Sequence, residues 1–502
     1  MEPIVINCAS EGTVYHKHWQ VCAGAGRANE GMRADWRMHL KDAVEQCGFK
    51  YLRFHGLLHD DMMIYHERAD GSAVYNWQYV DDLFDYMLEL GIRPFVEFGF
   101  MPSDLASGNM TVFWWKGNVT PPKDVNRWCE LIGNCIKHWI QRYGLNEVRS
   151  WYFEVWNEAN LKDCFWSGTQ EDYFQLYEVT AKALKGVDDK LRVGGPATSS
   201  FINGEAPWVK DFLKFCAARN LPIDFISAHP YPVRHPVDET TGEHLDVFRD
   251  ASSTYDDLTW LRKTVAGSKF PKAEIHLTEW NSSPSPRDFV HDHPFAGTFI
   301  INNNIACIGL CNSLSYWTFT DVFEEQRAGD APFHGGFGLI NMQGIHKPAF
   351  YAYSFLNKLG TRMLGKGDGW FATKDEEGNI QIIVWNYSHY IDSDGRLAKD
   401  KDTVEQLFGN GEKREYNFRL EGLEKQKYNV SVWTVDGNYT SAFHGWKALG
   451  APDWLTSEQV KRIESMGVPK LQNGKVGTGP SVSYSINLGA FGFAVAEVSV
   501  QA

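Results

Sequence analysis

The stretch SWYFEVWNEANL, Ser150 to Leu161, runs through aromatic and branched apolar residues and ends by setting an amide beside a carboxylate, Asn157 and Glu158. Residues 151–156 read as a buried strand. A charged group at the end of such a strand is costly to bury unless something there uses or pairs it. Seven further runs have the same near-continuous apolar character: QVCAG (20–24), YLRFH (51–55), RPFVEFG (93–99), LRVGG (191–195), DFISAH (224–229), EIHLTEW (274–280) and LSYWTF (314–319). Strands covered on both faces look like this, whereas half-exposed ones alternate. Longer segments with apolar residues at three- and four-residue spacing lie between them, for example YVDDLFDYMLELG (79–91), VNRWCELIGNCIKHWIQRYG (125–144) and DYFQLYEVTAKALKGV (172–187).

Eight strand-then-helix units in one chain predict an α/β fold, a (β/α)8 TIM barrel over residues 15–355. The rival, an open doubly wound sheet, calls for a glycine-rich phosphate turn after its first strand. GAGRANEG (24–31) begins like one but has Asn29 where the third glycine belongs. After residue 356 the pattern changes to period two, in IQIIVWNYS (380–388), EYNFRLEGL (415–423), YNVSVWTVD (428–436) and FGFAVAEVSV (491–500). This predicts an accessory C-terminal β-sandwich of residues 356–502, joined by the strand-like residues 1–14.

With 502 residues and 43% hydrophobic content the chain can bury one large core and a smaller one. A formal charge of -14, with scattered Lys and Arg, repels nucleic acid and anionic membranes. A neutral small molecule suits this surface better. Nine cysteines without CxxC spacing read as reduced thiols, and with no leader-like N-terminal segment the expectation is a cytoplasmic protein. A leader removed before Met1 would leave no trace, and sequons such as those at Asn118 and Asn386 matter only on a secretory route. No apolar run approaches the roughly 20 residues of a membrane span.

In a β/α barrel the chemistry collects where strands end. The second strand ends near Arg53, His55, His59 and Asp60, the fourth at Asn157 and Glu158, and the sixth at His229 and Tyr231. The seventh ends at Glu279 and Trp280, and the eighth runs into Trp317, Asp321, Glu324 and Glu325. Taken singly, each has a plain structural reading: Asn-Glu caps a helix, a lone glutamate pairs with a base, an isolated histidine or tryptophan is core, and Glu324-Glu325 is a solvated acidic pair. Together they fit hydrolysis of a glycoside by two carboxylates, one arriving protonated and one ionised. Asn157 is then placed for a sugar 2-hydroxyl, and Trp317, Phe165 or Trp166 for the apolar face of a pyranose. Zinc is not expected at His55 and His59, because a four-residue spacing aligns two ligands only on a helix and this run follows a strand. No GxSxG elbow marks a serine nucleophile.

The chain resembles glycoside hydrolase family 39, in particular its bacterial β-xylosidases. The likeness is carried by YLRFHGLLHDDM, GIRPFVEFGFMPSDLASG, GNVTPPKDVNRW, WYFEVWNEANL, DFISAHPYP, HLTEWNSSPSP, SYWTFTDVFEEQ and FHGGFGLINMQGIHKPAF in family order. It runs more loosely into the β-rich part at WLTSEQVKRI. The resemblance implies a retaining, exo-acting β-xylosidase on small xylo-oligosaccharides, with Glu158 as acid/base and Glu279 as nucleophile. It further implies that His55, Asn157, Phe165, His229, Tyr231, Trp317, Glu324 and Glu325 line the sugar site, with no metal and no cofactor. Because bacterial members are often oligomeric, a homo-oligomer is compatible with it.

The sequence departs from the family pattern in three places. Ala159 replaces a proline, the NLKDCFW loop is one residue longer, and Pro284 stands where a tyrosine is usual. The last two bear on which sugar is taken. The alternatives are another sugar of the same family, an iduronide among them, and a carbohydrate-binding protein without turnover.

Overall fold

The computed structural model describes residues 2–199, 207–234, 247–390, 398–408, 411–423, 428–437, 439–476 and 481–500. Eight parallel strands close into a barrel: β1 (Cys22–Arg27), β2 (Tyr51–His55), β3 (Arg93–Phe98), β4 (Tyr152–Val155), β5 (Arg192–Ser199), β6 (Phe225–His229), β7 (Glu274–Trp280) and β8 (Ser313–Tyr316). Each pairs with its neighbours in sequence, and β8 returns to β1 through Tyr316 and Ala23. Three boundaries differ from the sequence expectation by three residues or more, the first being β1, which runs on to Arg27. β5 runs on to Ser199, and β8 stops at Tyr316, so Trp317 already belongs to the loop above the barrel.

Helices follow the strands at 34–47, 78–89, 125–143, 170–187, 208–219, 253–266, 295–306 and 348–358. The helix at 125–143 shows why they form. Asp124 accepts from the backbone N–H groups of Asn126 and Arg127, satisfying donors the first turn leaves free. Gly144 ends it at φ 89°, where a side chain would be strained. Trp128, Leu131, Ile132, Cys135, Ile136 and Trp139 make its buried stripe, at the spacing of a helix face.

Beyond the barrel, a three-stranded sheet (Ile4–Asn7, Arg414–Glu421, Ser481–Leu488) faces a seven-stranded one that includes Thr13–Val14, Ile380–Trp385, Tyr428–Val435 and Phe493–Val500. Period two is kept, but the middle strands are apolar on both faces. Ile380, Ile382, Val384, Ala494 and Ala496 pack with Ile6, Phe418 and Leu420 of the smaller sheet. Ile383, Trp385, Phe493 and Val495 turn the other way and join the barrel core. One sheet therefore seals two cores, and Phe493 stacks edge-on against Phe355 of the helix at 348–358.

Candidate active site

After β4 the chain turns abruptly: Trp156 and Glu158 take φ values of 69° and 45°. Left-handed backbone at non-glycine residues costs about 1–3 kcal/mol and persists where the surroundings hold it. Here the Glu158 N–H donates to the Ala197 carbonyl of β5 at 2.9 Å, and the Glu158 carbonyl accepts from Leu161. The turn lifts the Glu158 side chain into the mouth of the barrel. It does not cap the next helix, which begins at Gln170 with its own capping box of Thr169 and Asp172.

A cavity of about 340 Å³ opens there, lined by Glu158, Glu279, Glu325, His55, Asn157, Tyr231, Trp317 and Phe165, with Asn160, Leu161, Ser199, Pro284 and Phe337 completing the wall. One carboxylate oxygen each of Glu158 and Glu279, and a ring nitrogen of His229, lie within 4.8 Å of one another. The Tyr231 hydroxyl donates to Glu279 Oε2 at 3.2 Å, and His229 Nδ1 is 2.9 Å from Glu158 Oε1.

Beneath the two carboxylates sits Arg53, fully buried. Its guanidinium reaches Glu154 at 2.6 Å, Glu279 at 2.7 Å, and Asn157 Oδ1 and Glu97 at 2.8 Å each. Burial alone would lower the Arg53 pKa, but the carboxylates of Glu154, Glu97 and Glu279 outweigh it and raise it. Asn157 spends its carbonyl on Arg53, which leaves its amide hydrogens for a ligand. His55 Nδ1 is 2.7 Å from Glu97, and its other nitrogen faces the cavity, 3.5 Å from Glu279 and 3.6 Å from Glu325.

Burial, and then the charge of Glu279, push the Glu158 carboxyl well above the usual range, against a smaller lowering by Arg53. Glu325 is pushed the same way by burial and by Glu279. His229 is driven well below its ordinary value by burial and by Arg53 and His55, so its ring is neutral. Proton-holding carboxyls beside a neutral imidazole are the arrangement expected where a proton is to be given away.

Nine of the ten residues singled out in the sequence meet here, eight on the cavity wall and His229 behind it. Glu324 does not. Its carboxylate turns away to bond Arg27 at 2.9 Å and to face Arg33 at 3.6 Å, because neighbouring side chains on this extended stretch diverge. Five polar residues of the site were not anticipated: Glu97, Glu154, Thr278, Ser199 and Asn160. The first two lie mid-strand, where the only signal was a glutamate inside an apolar run.

The sequence model for glycosyl hydrolases family 39 matches residues 3–479. The chain is 39% identical over 467 residues to the beta-xylosidase of Geobacillus stearothermophilus, spanning 92% of this chain and 88% of that protein. Identity is also 39% to the beta-xylosidase of Caldicellulosiruptor saccharolyticus, over 92% of this chain and 90% of that one. A solved structure, a monomeric beta-xylosidase from Caulobacter crescentus CB15, matches with a TM-score of 0.90 at 32% identity over the whole of both chains. With its barrel, its paired carboxylates and these relatives, the chain belongs to glycosyl hydrolases family 39.

Proposed function

We propose that the protein is a retaining, exo-acting β-xylosidase that releases xylose from the non-reducing ends of small xylo-oligosaccharides. The observation that carries the mechanism is the approach of Glu158 and Glu279 to within 4.8 Å. Retaining enzymes hold their carboxyls about 5–5.5 Å apart, while inverting ones need roughly 6.5–9.5 Å to admit water between them. In the first half-reaction Glu158 gives its proton to the leaving oxygen as Glu279 attacks the anomeric carbon, forming a glycosyl-enzyme. Water, deprotonated by Glu158, then releases the sugar with its β-configuration kept.

The Asn157 amide is the donor for the 2-hydroxyl, a contact that strengthens as charge develops at the ring. His55 and Glu325 are hydroxyl ligands. Tyr231 steadies Glu279, His229 steadies Glu158, and Trp317 with Phe165 forms the stacking wall. Among the described residues the cavity wall carries no Lys or Arg, which favours a neutral sugar over a uronide.

The test is a panel of p-nitrophenyl glycosides (β-xyloside, α-L-arabinopyranoside, α-L-arabinofuranoside, β-glucoside, β-galactoside), with NMR following the anomer first released. Fastest cleavage of the β-xyloside giving β-xylose is expected. Preferred cleavage of another glycoside keeps the mechanism and moves the substrate, pointing to Pro284 and the longer loop after β4. Initial release of the α-anomer sinks the mechanism.

A further inference from the structure

Behind Glu158 a line of hydrogen bonds runs into the barrel. Glu158 Oε1 is 2.9 Å from His229 Nδ1, His229 Nε2 is 2.9 Å from Thr278 Oγ1, and the Thr278 hydroxyl donates to Glu154 Oε1 at 2.8 Å. Every member is buried. Its inner end is anchored: Glu154 Oε2 accepts from Arg53 at 2.6 Å, and Ser227 adds a further donor. The Ser227 oxygen is itself taken by the Ala197 N–H, so its single hydrogen is free to point at Glu154. Burial raises the Glu154 carboxyl above its ordinary value, against the lowering by Arg53 and Ser227. With the guanidinium on Oε2 and two hydroxyls donating to it, the group is bonded as an acceptor.

The direction of every bond follows from that anchor. A threonine hydroxyl owns one hydrogen, and Thr278 has given it to Glu154. Toward His229 it can only accept, so Nε2 carries the imidazole hydrogen. A neutral ring with hydrogen on Nε2 has a bare lone pair on Nδ1, and the oxygen facing that lone pair belongs to Glu158.

We propose that Thr278 and His229 are positioning residues that set the proton of the acid/base: the Glu154–Thr278 bond fixes the His229 tautomer, which makes Glu158 the donor to Nδ1 and keeps it protonated at rest. The inference rests on the reading of Glu158 as the proton donor. It also reaches the second half-reaction. Once Glu158 has lost its proton, His229 offers its carboxylate a lone pair rather than an N–H, so the carboxylate stays a strong base toward the attacking water. A ring with the opposite tautomer would donate to Glu158, stabilise the ionised form and weaken it in both roles. The other groups that bear on Glu158 are Glu279 and Tyr231 from the ends of β7 and β6, Arg53 and Glu97 from β2 and β3, Ser199 from β5, Glu325 from the loop after β8 and Cys164 on its own loop. None of these sets the tautomer of His229. Glu279 Oε2 faces Nδ1 at 3.8 Å, beyond hydrogen-bond reach, so the tautomer is set by the two ring hydrogen bonds, to Glu158 and Thr278.

Neutron diffraction from deuterated crystals of the unliganded enzyme reads the line directly and needs no substrate, so it stands apart from the fate of the β-xylosidase reading. Deuterium on His229 Nε2 and on Glu158, with none on His229 Nδ1, is expected. Deuterium on Nδ1 overturns the proposal. In kinetics, Thr278→Val frees the ring to turn its N–H toward Glu158. The basic limb of kcat/KM on aryl β-xylosides should then move to lower pH by about one unit, the worth of one hydrogen bond. Thr278→Ser keeps the hydroxyl and should restore the wild-type limb. A folded Thr278→Val with an unmoved limb, or a Thr278→Ser shifted as far as Thr278→Val, also overturns it.

Discussion

Arg53 Nη1 lies 2.7 Å from Glu279 Oε1, joining the cavity wall to an ion cluster with no access to solvent. The same side chain serves Glu97, Glu154 and Asn157. Arg53→Met would leave several buried carboxylates uncompensated. It should destabilise the fold by about 3–5 kcal/mol and remove turnover, measured by denaturant unfolding alongside kcat/KM. A variant as stable as the parent would mean the cluster is better hydrated than its burial implies.

The raised pKa of Glu158 makes a leaving-group prediction. In Glu158→Ala, aryl xylosides with poor leaving groups should slow by roughly 10²–10⁴-fold. Activated aryl substrates should still form the glycosyl-enzyme, seen as a burst followed by slow release. Added azide should speed that release and yield the β-xylosyl azide. Equal losses on good and poor leaving groups would remove Glu158 from the acid role.

Glu30 makes a stability prediction. It is buried between the backbone N–H groups of Arg27 and Glu324, which both donate to it. Burial raises its pKa from 4.5 to about 8, against the lowering from the Arg27 N–H. Between those values the native state holds a proton that the unfolded chain has lost, so stability falls as pH rises from about 5 to 8. Glu30→Gln cannot titrate. It should cost about 1 kcal/mol near pH 5, where one accepted hydrogen bond is lost, and the deficit should shrink or reverse above pH 8. Unfolding curves at pH 5, 7 and 9 check this, and a deficit constant across that range would refute it.

Gly24, at the middle of β1, makes room for the wall of the site: a Cβ there would lie 2.4 Å from Trp317 Cε3. Gly24→Ala should cost about 1–3 kcal/mol from overpacking and displace the Trp317 ring. The activity loss should fall mainly on KM, with Gly24→Ala still folded by circular dichroism. An unaltered KM would mean Trp317 does not touch the sugar.

Much of this was readable along the chain. Apolar runs covered on both faces, each followed by an amphipathic stretch, specify the barrel unit by unit, and Asn157, Glu158 and Glu279 stand out because polar groups end runs that are otherwise buried. Arg53, Glu97 and Glu154 did not stand out in the same way. On a strand apolar on both faces, periodicity does not say which side points inward, so a mid-strand charge gives no hint of its partners. Glu324 and Glu325 were equivalent in sequence, and the path of the loop separates them, one to Arg27 and Arg33, the other to the cavity.

Hydrophobic period and turn chemistry are local, so the eight strand–helix units, the appended sheets and the residue types waiting at the strand ends are written along the chain. Which of those residues meet is a property of the closed barrel. Glu158 and Glu279 are 121 positions apart, and their approach depends on a barrel closing between β8 and β1. The anchoring of Glu154 by Arg53, and through Thr278 and His229 the side on which Glu158 carries its proton, depends on the same closure, since hydrogen bonds have direction only once every partner is in place.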